Sequence, residues 1–142
     1  MKRIFYSIII VFLILPVSFG QISEKKKYTA TQVSEAPAID GIVDDQVWGE
    51  GEWIDDFTQN QPYNGRTATQ RTEFTILFDE DNIYVGIKNF DTDPDSIVNR
   101  LTRRDQADGD LAGVIFDSFH DLRTGFLFGV ASSGVKYDVM FT

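Results

Sequence analysis

The chain has no cysteine, one histidine (His120), four prolines and two tryptophans among its 142 residues. Without cysteine no disulfide can form, so packing alone must hold the fold, and a lone histidine leaves a zinc site short of ligands. Positive charge is also scarce. Thirteen Lys and Arg face 22 Asp and Glu, a formal net charge of −9, and such a surface repels a phosphate backbone, which excludes nucleic acid as a partner. No apolar run approaches the roughly 20 residues needed to cross a bilayer. The longest follows Lys2 and Arg3, from Ile4 to Leu15, and stops at Pro16; Ser18 and Gly20 then stand three and one residues before Gln21. That pattern predicts a cleaved signal peptide over residues 1–20. It implies export to the periplasm, outer membrane or cell surface of a Gram-negative-type envelope. An acyl anchor at this end is excluded, because it needs a cysteine after the cleavage point.

Removal of residues 1–20 takes away Lys2 and Arg3, so the charge falls to −11 over the remaining 122 residues. A chain of that length builds one core and not two. Residues 21–35 are polar and include Lys25, Lys26 and Lys27; they read as a tether or a frayed first strand. From Pro37 to Trp48 the sequence predicts an extended piece, a turn at Gly41 and a helical turn capped by Asp44, with Val47 and Trp48 facing the core. Trp53 to Phe57 follows as a short strand. Thr72, Phe74, Ile76 and Phe78 alternate with Arg71, Glu73, Thr75 and Leu77, and after Asp79–Asn82 the alternation resumes at Ile83, Val85 and Ile87. Together they predict a hairpin. A long polar crossover, Phe90–Gly109, leads to strands at Ala112–Asp117, Thr124–Ala131 and from Val135 on. Short strands with one helical turn indicate an all-β chain, an antiparallel β-sandwich of immunoglobulin-like or jelly-roll-like type. The last alternation is still running at Thr142, so further strands or domains are expected after it.

Three blocks carry a family resemblance. The segment Ala38-Ile-Asp-Gly-Ile-Val-Asp-Asp-Gln-Val-Trp48 resembles the opening block of family 9 carbohydrate-binding modules, and the hairpin Phe74–Phe90 resembles the next. Arg103, Arg104, Asp105 and Asp110, followed by Val114–Asp138, are similar to the third block of a bacterial subfamily in which the domain precedes an outer-membrane-barrel-like region. The likeness covers residues 36–142. It implies a β-sandwich that holds polysaccharide or oligosaccharide in the service of polysaccharide breakdown, with calcium bracing its loops. The tryptophan pair of the family's sugar clamp does not map onto Trp48 and Trp53.

Sugar binding needs flat aromatic faces beside hydroxyl partners. Trp53, Phe57 and Tyr63, set among Asp55, Asp56, Gln59, Gln61 and Asn64, are of the right types; packing is the bland alternative. Trp48 is assigned to the core. Asp91, Asp93 and Asp95 alternate like the start of a calcium loop, and Asp108 and Asp110 repeat the spacing; but Ser96 and Thr102 stand where an EF-hand needs glycine and glutamate, and Asp-Pro turn chemistry is the simpler explanation of the first cluster. Arg103, Arg104, Asp105, His120, Asp121 and Arg123 form either a rim that recognises a ligand or an ion-pair network pinning the crossover. Asp117 and Asp121 flank His120 as an acid–base pair would, yet both sit where acidic residues favour turns, and Gly129–Gly134 lacks the spacing of a nucleophile elbow. The expectation is therefore a non-catalytic carbohydrate-binding domain. The rivals are a structural module packing on a downstream outer-membrane barrel and part of a glycoside hydrolase.

Overall fold

The computed structural model describes residues 25–106 and 108–142. The expected signal peptide and the first residues of the expected tether lie outside them.

The strict alternation around residue 75 produces the strands it predicts. With a period of two, only pairing in one register keeps the apolar residues together on each face. β2 (Thr72–Phe78) and β3 (Ile83–Asn89) pair antiparallel in the register Phe74↔Ile87, Ile76↔Val85 and Leu77↔Tyr84. Asp79 closes the four-residue connection: its carboxylate accepts the N–H groups of Asp81 and Asn82 at 2.8 and 2.7 Å and the Tyr84 hydroxyl at 2.5 Å. β1 (Thr31–Gln32) joins the other side of β2, in parallel, with Thr31 opposite Leu77. Part of the stretch read as a tether or a frayed first strand is thus a strand. Tyr28 fixes it there, donating its hydroxyl proton to the Glu52 carbonyl at 2.7 Å and accepting the Ile76 N–H at 3.2 Å.

One face of this sheet carries Thr75, Leu77, Tyr84 and Gly86. Onto it folds a short 3-10 turn, Gln46–Glu50, that buries Val47 and Trp48. Trp48 is 4% exposed and packs with Val33, Val47 and Leu77, while Val43, Trp53 and Tyr84 close around them. The expected cap at Asp44 is not made. Asp45 precedes the turn without a side-chain cap, because its carboxylate instead accepts the Ala38 N–H at 2.8 Å. This bond closes residues 38–45 into a loop whose reversal falls at Gly41, φ +90°. The strand expected at Trp53–Phe57 reduces to one bridge, Ile54 to Phe74. The chain bends directly after it, where the Phe57 N–H turns back onto the Asp55 carbonyl.

The second sheet is antiparallel throughout, in the order β4 (Leu111–Phe116), β5 (Gly125–Ala131), β6 (Lys136–Phe141). Both faces are apolar. Leu111, Ile115, Leu127, Val139 and Phe141 lie on one and Val114, Phe116, Phe126, Phe128 and Met140 on the other. Neither is fully covered, for Ile115, Phe128 and Met140 are 61, 50 and 58% exposed. The sheets touch through β3 and β4, which are not paired with each other. Two mostly antiparallel sheets with only single 3-10 turns beside them make the chain all-β, as expected. Among the described residues no helix is long and apolar enough to cross a membrane.

A Cβ at Gly86 would stand 3.0 Å from the Trp48 ring and 3.1 Å from Trp53, whereas one at Gly49 would meet nothing within 4 Å. Gly86→Ala should therefore cost about 1–3 kcal/mol as an overpacked core, and Gly49→Ala less than about 0.5 kcal/mol. Urea denaturation followed by circular dichroism measures both, and equal losses would show that the indole does not need the missing side chain.

Candidate functional site

Where β3 and β4 fail to pair, a cleft of about 680 Å³ opens between the sheets. Its wall is apolar, drawn from Ile42, Val85, Ile87, Ala112, Val130 and Trp48. Phe90, 43% exposed, stands just past the end of β3 with the Arg71 guanidinium 5.1 Å from its ring centroid, which leaves one face open. The rim is polar. Thr72 donates its hydroxyl proton to Asn89 Oδ1 at 3.1 Å, and the Gln70 amide donates to Asp91 Oδ1 at 3.3 Å and Thr92 Oγ1 at 3.1 Å. Asp110 enters from the β4 side, with Oδ2 accepting the Val98 N–H at 2.9 Å. An apolar wall with a few fixed polar groups is the composition of a small-ligand site. Trp48, one of the lining residues, keeps its Nε1–H buried and without a hydrogen-bond partner among the described residues, a state that costs about 1–3 kcal/mol.

The residues singled out from sequence are distributed differently. Trp53 does not line the cleft. Its Nε1–H donates to the Trp48 carbonyl at 3.0 Å, and its ring is occupied by the Lys88 ammonium, 4.0 Å from the centroid. Tyr63 is 55% exposed in a loop with the Arg66 guanidinium 4.4 Å from its ring, and Phe57 stacks edge-on to Phe74. Arg104 and Asp105 lie against the start of β6, where Arg104 grips Asp138 through both its nitrogens at 3.1 and 2.8 Å. Arg103 stands in the same turn, its carbonyl accepting the Gln106 N–H. His120 and Arg123 sit in the turn joining β4 to β5, at the opposite end of the sheet, so the polar set does not converge. Of the acidic residues considered for calcium, Asp91 and Asp110 line the cleft. Asp91 also accepts the Asp93 N–H at 2.7 Å, Asp95 lies in the Pro94–Ser96 turn, and both Asp108 carboxylate oxygens accept from Arg100 Nη1, at 3.0 and 3.2 Å. Among the described residues no three His, Cys, Asp or Glu side chains gather as a group that could hold a metal ion.

No protein-family model, curated protein or solved structure matches the chain. Its chemistry is thus read from the side chains in place. Asp117 and Asp121, the pair considered for acid–base work, are both engaged by backbone. Asp117 accepts the N–H groups of Asp121 and Leu122, and Asp121 accepts those of Arg123 and Thr124 together with the Thr124 hydroxyl. These bonds hold the β4–β5 turn with His120 and Leu122 at positive φ. The Thr124 and Arg123 amides keep the Asp121 carboxyl below the usual aspartate range. Arg104, with Asp105, does the same for Asp138, and the Tyr84 hydroxyl, with the Asp81 amide, for Asp79.

A carboxyl whose folded value lies below its unfolded value stabilises the fold above the unfolded value and loses that contribution as pH falls through the folded one. Thermal stability should accordingly decline below pH 3.8, the ordinary aspartate value. The decline should be shallower in Asp121→Asn, which has no proton to bind there. Melting curves from about pH 5 to about pH 2 test this; parallel slopes for the two proteins would contradict it.

Proposed function

We propose that the chain is a non-catalytic carbohydrate-binding domain of an exported envelope protein concerned with polysaccharide, and that the cleft between the sheets is its binding site. The observation that carries this reading is the cleft itself, an apolar wall rimmed by Gln70, Asn89, Asp91 and Asp110. A pyranose ring offers matching chemistry: an apolar C–H face for Phe90 and the aliphatic wall, and hydroxyls for the amides and carboxylates. Two carboxylates at the mouth of an acidic domain favour neutral sugars over uronic acids. The all-β architecture and the resemblance of Ala38–Trp48, Phe74–Phe90 and the segments after Arg103 to family 9 carbohydrate-binding modules support the same reading, with the two sheets as the layers of a sandwich.

A second reading, a structural module packed on an outer-membrane barrel of the same parent, is favoured by one specific observation: the apolar residues exposed on both faces of the β4–β6 sheet. Under that reading a dye that binds apolar surface marks the second sheet, the isolated barrel displaces it, and glycans leave it unchanged.

Affinity electrophoresis in gels containing neutral soluble glycans should retard the protein. Phe90→Ala and Asn89→Ala should each weaken the retardation about tenfold, equivalent to about 1.4 kcal/mol. Unretarded migration across a broad neutral panel, or full retardation of both variants, would remove the cleft as a sugar site.

A further inference from the structure

The free edge of β6 is closed by a residue from outside the sheet. The Ala131 N–H donates to the Val135 carbonyl at 2.9 Å across the β5–β6 turn. That bond sets the phase of the ladder: Tyr137, Val139 and Phe141 exchange backbone bonds with β5, and Lys136, Asp138 and Met140 direct theirs outward. Asp105 meets the first two. Its N–H donates to the Lys136 carbonyl at 3.1 Å, and its Oδ1 accepts the Asp138 N–H at 2.9 Å. A side-chain oxygen therefore stands where a neighbouring strand would present a carbonyl. Asp105 adopts φ +62°, a left-handed conformation that aspartate tolerates better than most residues. The Arg104 fork on Asp138 holds the loop down beside it. Thirty-one residues of sequence separate Asp105 from Lys136, so this is a tertiary contact and not a local turn.

We propose that Arg104 and Asp105 form an edge guard, a one-residue substitute strand that keeps β6 from pairing with β6 of a second copy of the chain. An exposed apolar strand edge is a template for such pairing, and β6 carries Tyr137, Val139, Met140 and Phe141. The guard covers its first half, and the acceptor oxygen of Asp105, not its charge, is the decisive group. It also accounts for the Arg103-Arg-Asp105 block without a ligand.

Amide hydrogen exchange and sedimentation velocity of the full chain test the proposal together. In the unaltered protein the Asp138 N–H should exchange at least about tenfold more slowly than the Met140 N–H, although both point outward. Asp105→Ala should abolish that difference, leave the Tyr137 and Val139 amides protected, and convert monomer to dimer as concentration rises. Asp105→Asn keeps an acceptor oxygen and should behave as the unaltered protein. Met140→Pro removes an outward N–H that β5 does not use, so Asp105→Ala combined with Met140→Pro should return to monomer. Equal exchange of Asp138 and Met140 in the unaltered protein would overturn the proposal. So would a monomeric Asp105→Ala that retains Asp138 protection, or a dimer that survives Met140→Pro, which would place association on the apolar faces. Should Asp105→Ala fail to fold, the exchange contrast in the unaltered protein and in Asp105→Asn decides the matter alone.

Discussion

The contact on which the rest depends is the Trp48 indole laid against Gly86. A strand residue without a side chain lets the ring approach the β2–β3 hairpin to within van der Waals distance, and Leu77 and Val47 fill the space around it. A two-stranded hairpin is marginal in water by itself. Covering one face with a large aromatic converts it into a stable sheet, and the same ring then aligns its neighbours. The Trp48 carbonyl orients Trp53, whose ring carries Lys88. The loop before Trp48 forms one side of the cleft, so the position of a single buried side chain sets both the core and the wall of the candidate site.

The acidic composition takes on a structural meaning once the turns are in view. Asp79, Asp91, Asp117 and Asp121 each accept backbone N–H groups within five residues of themselves. Short carboxylates compete well for such amides and tighten reversals between strands. Much of the negative charge is therefore the means by which a cysteine-free chain closes its turns. Only a minority of these groups, Asp91 and Asp110 among them, face a cavity where a ligand could use them.

The strands were legible because period-two alternation is local. β2, β3, β5 and β6 emerge within one or two residues of their expected ends, and Val47 and Trp48 are buried as read. Contacts between distant segments left no such trace. Nothing in Thr31–Gln32 announces pairing with Leu77, and the reading of Arg103–Asp105 as a network pinning the crossover did not name the edge of β6 as its seat. The site was legible only in part. Trp53 has the right chemistry for sugar, but its ring is taken by Lys88, whereas Trp48, assigned to packing, proves to line the cleft with its N–H unsatisfied. Burial and a place in the cleft lining coincide at that residue, and a reading that treats them as alternatives passes over it. Asn89 and Phe90 could have been found as the polar and aromatic pair ending a strand, a place where alternation stops and side chains reach beyond the sheet.

The two tryptophans also divide the molecule optically. Both pack against the first sheet and are joined by the hydrogen bond from Trp53 Nε1 to the Trp48 carbonyl, while β4, β5 and β6 contain none. Intrinsic indole emission thus reports chiefly on the hairpin and its aromatic lid, and senses the other three strands only through the cleft that Trp48 shares with them.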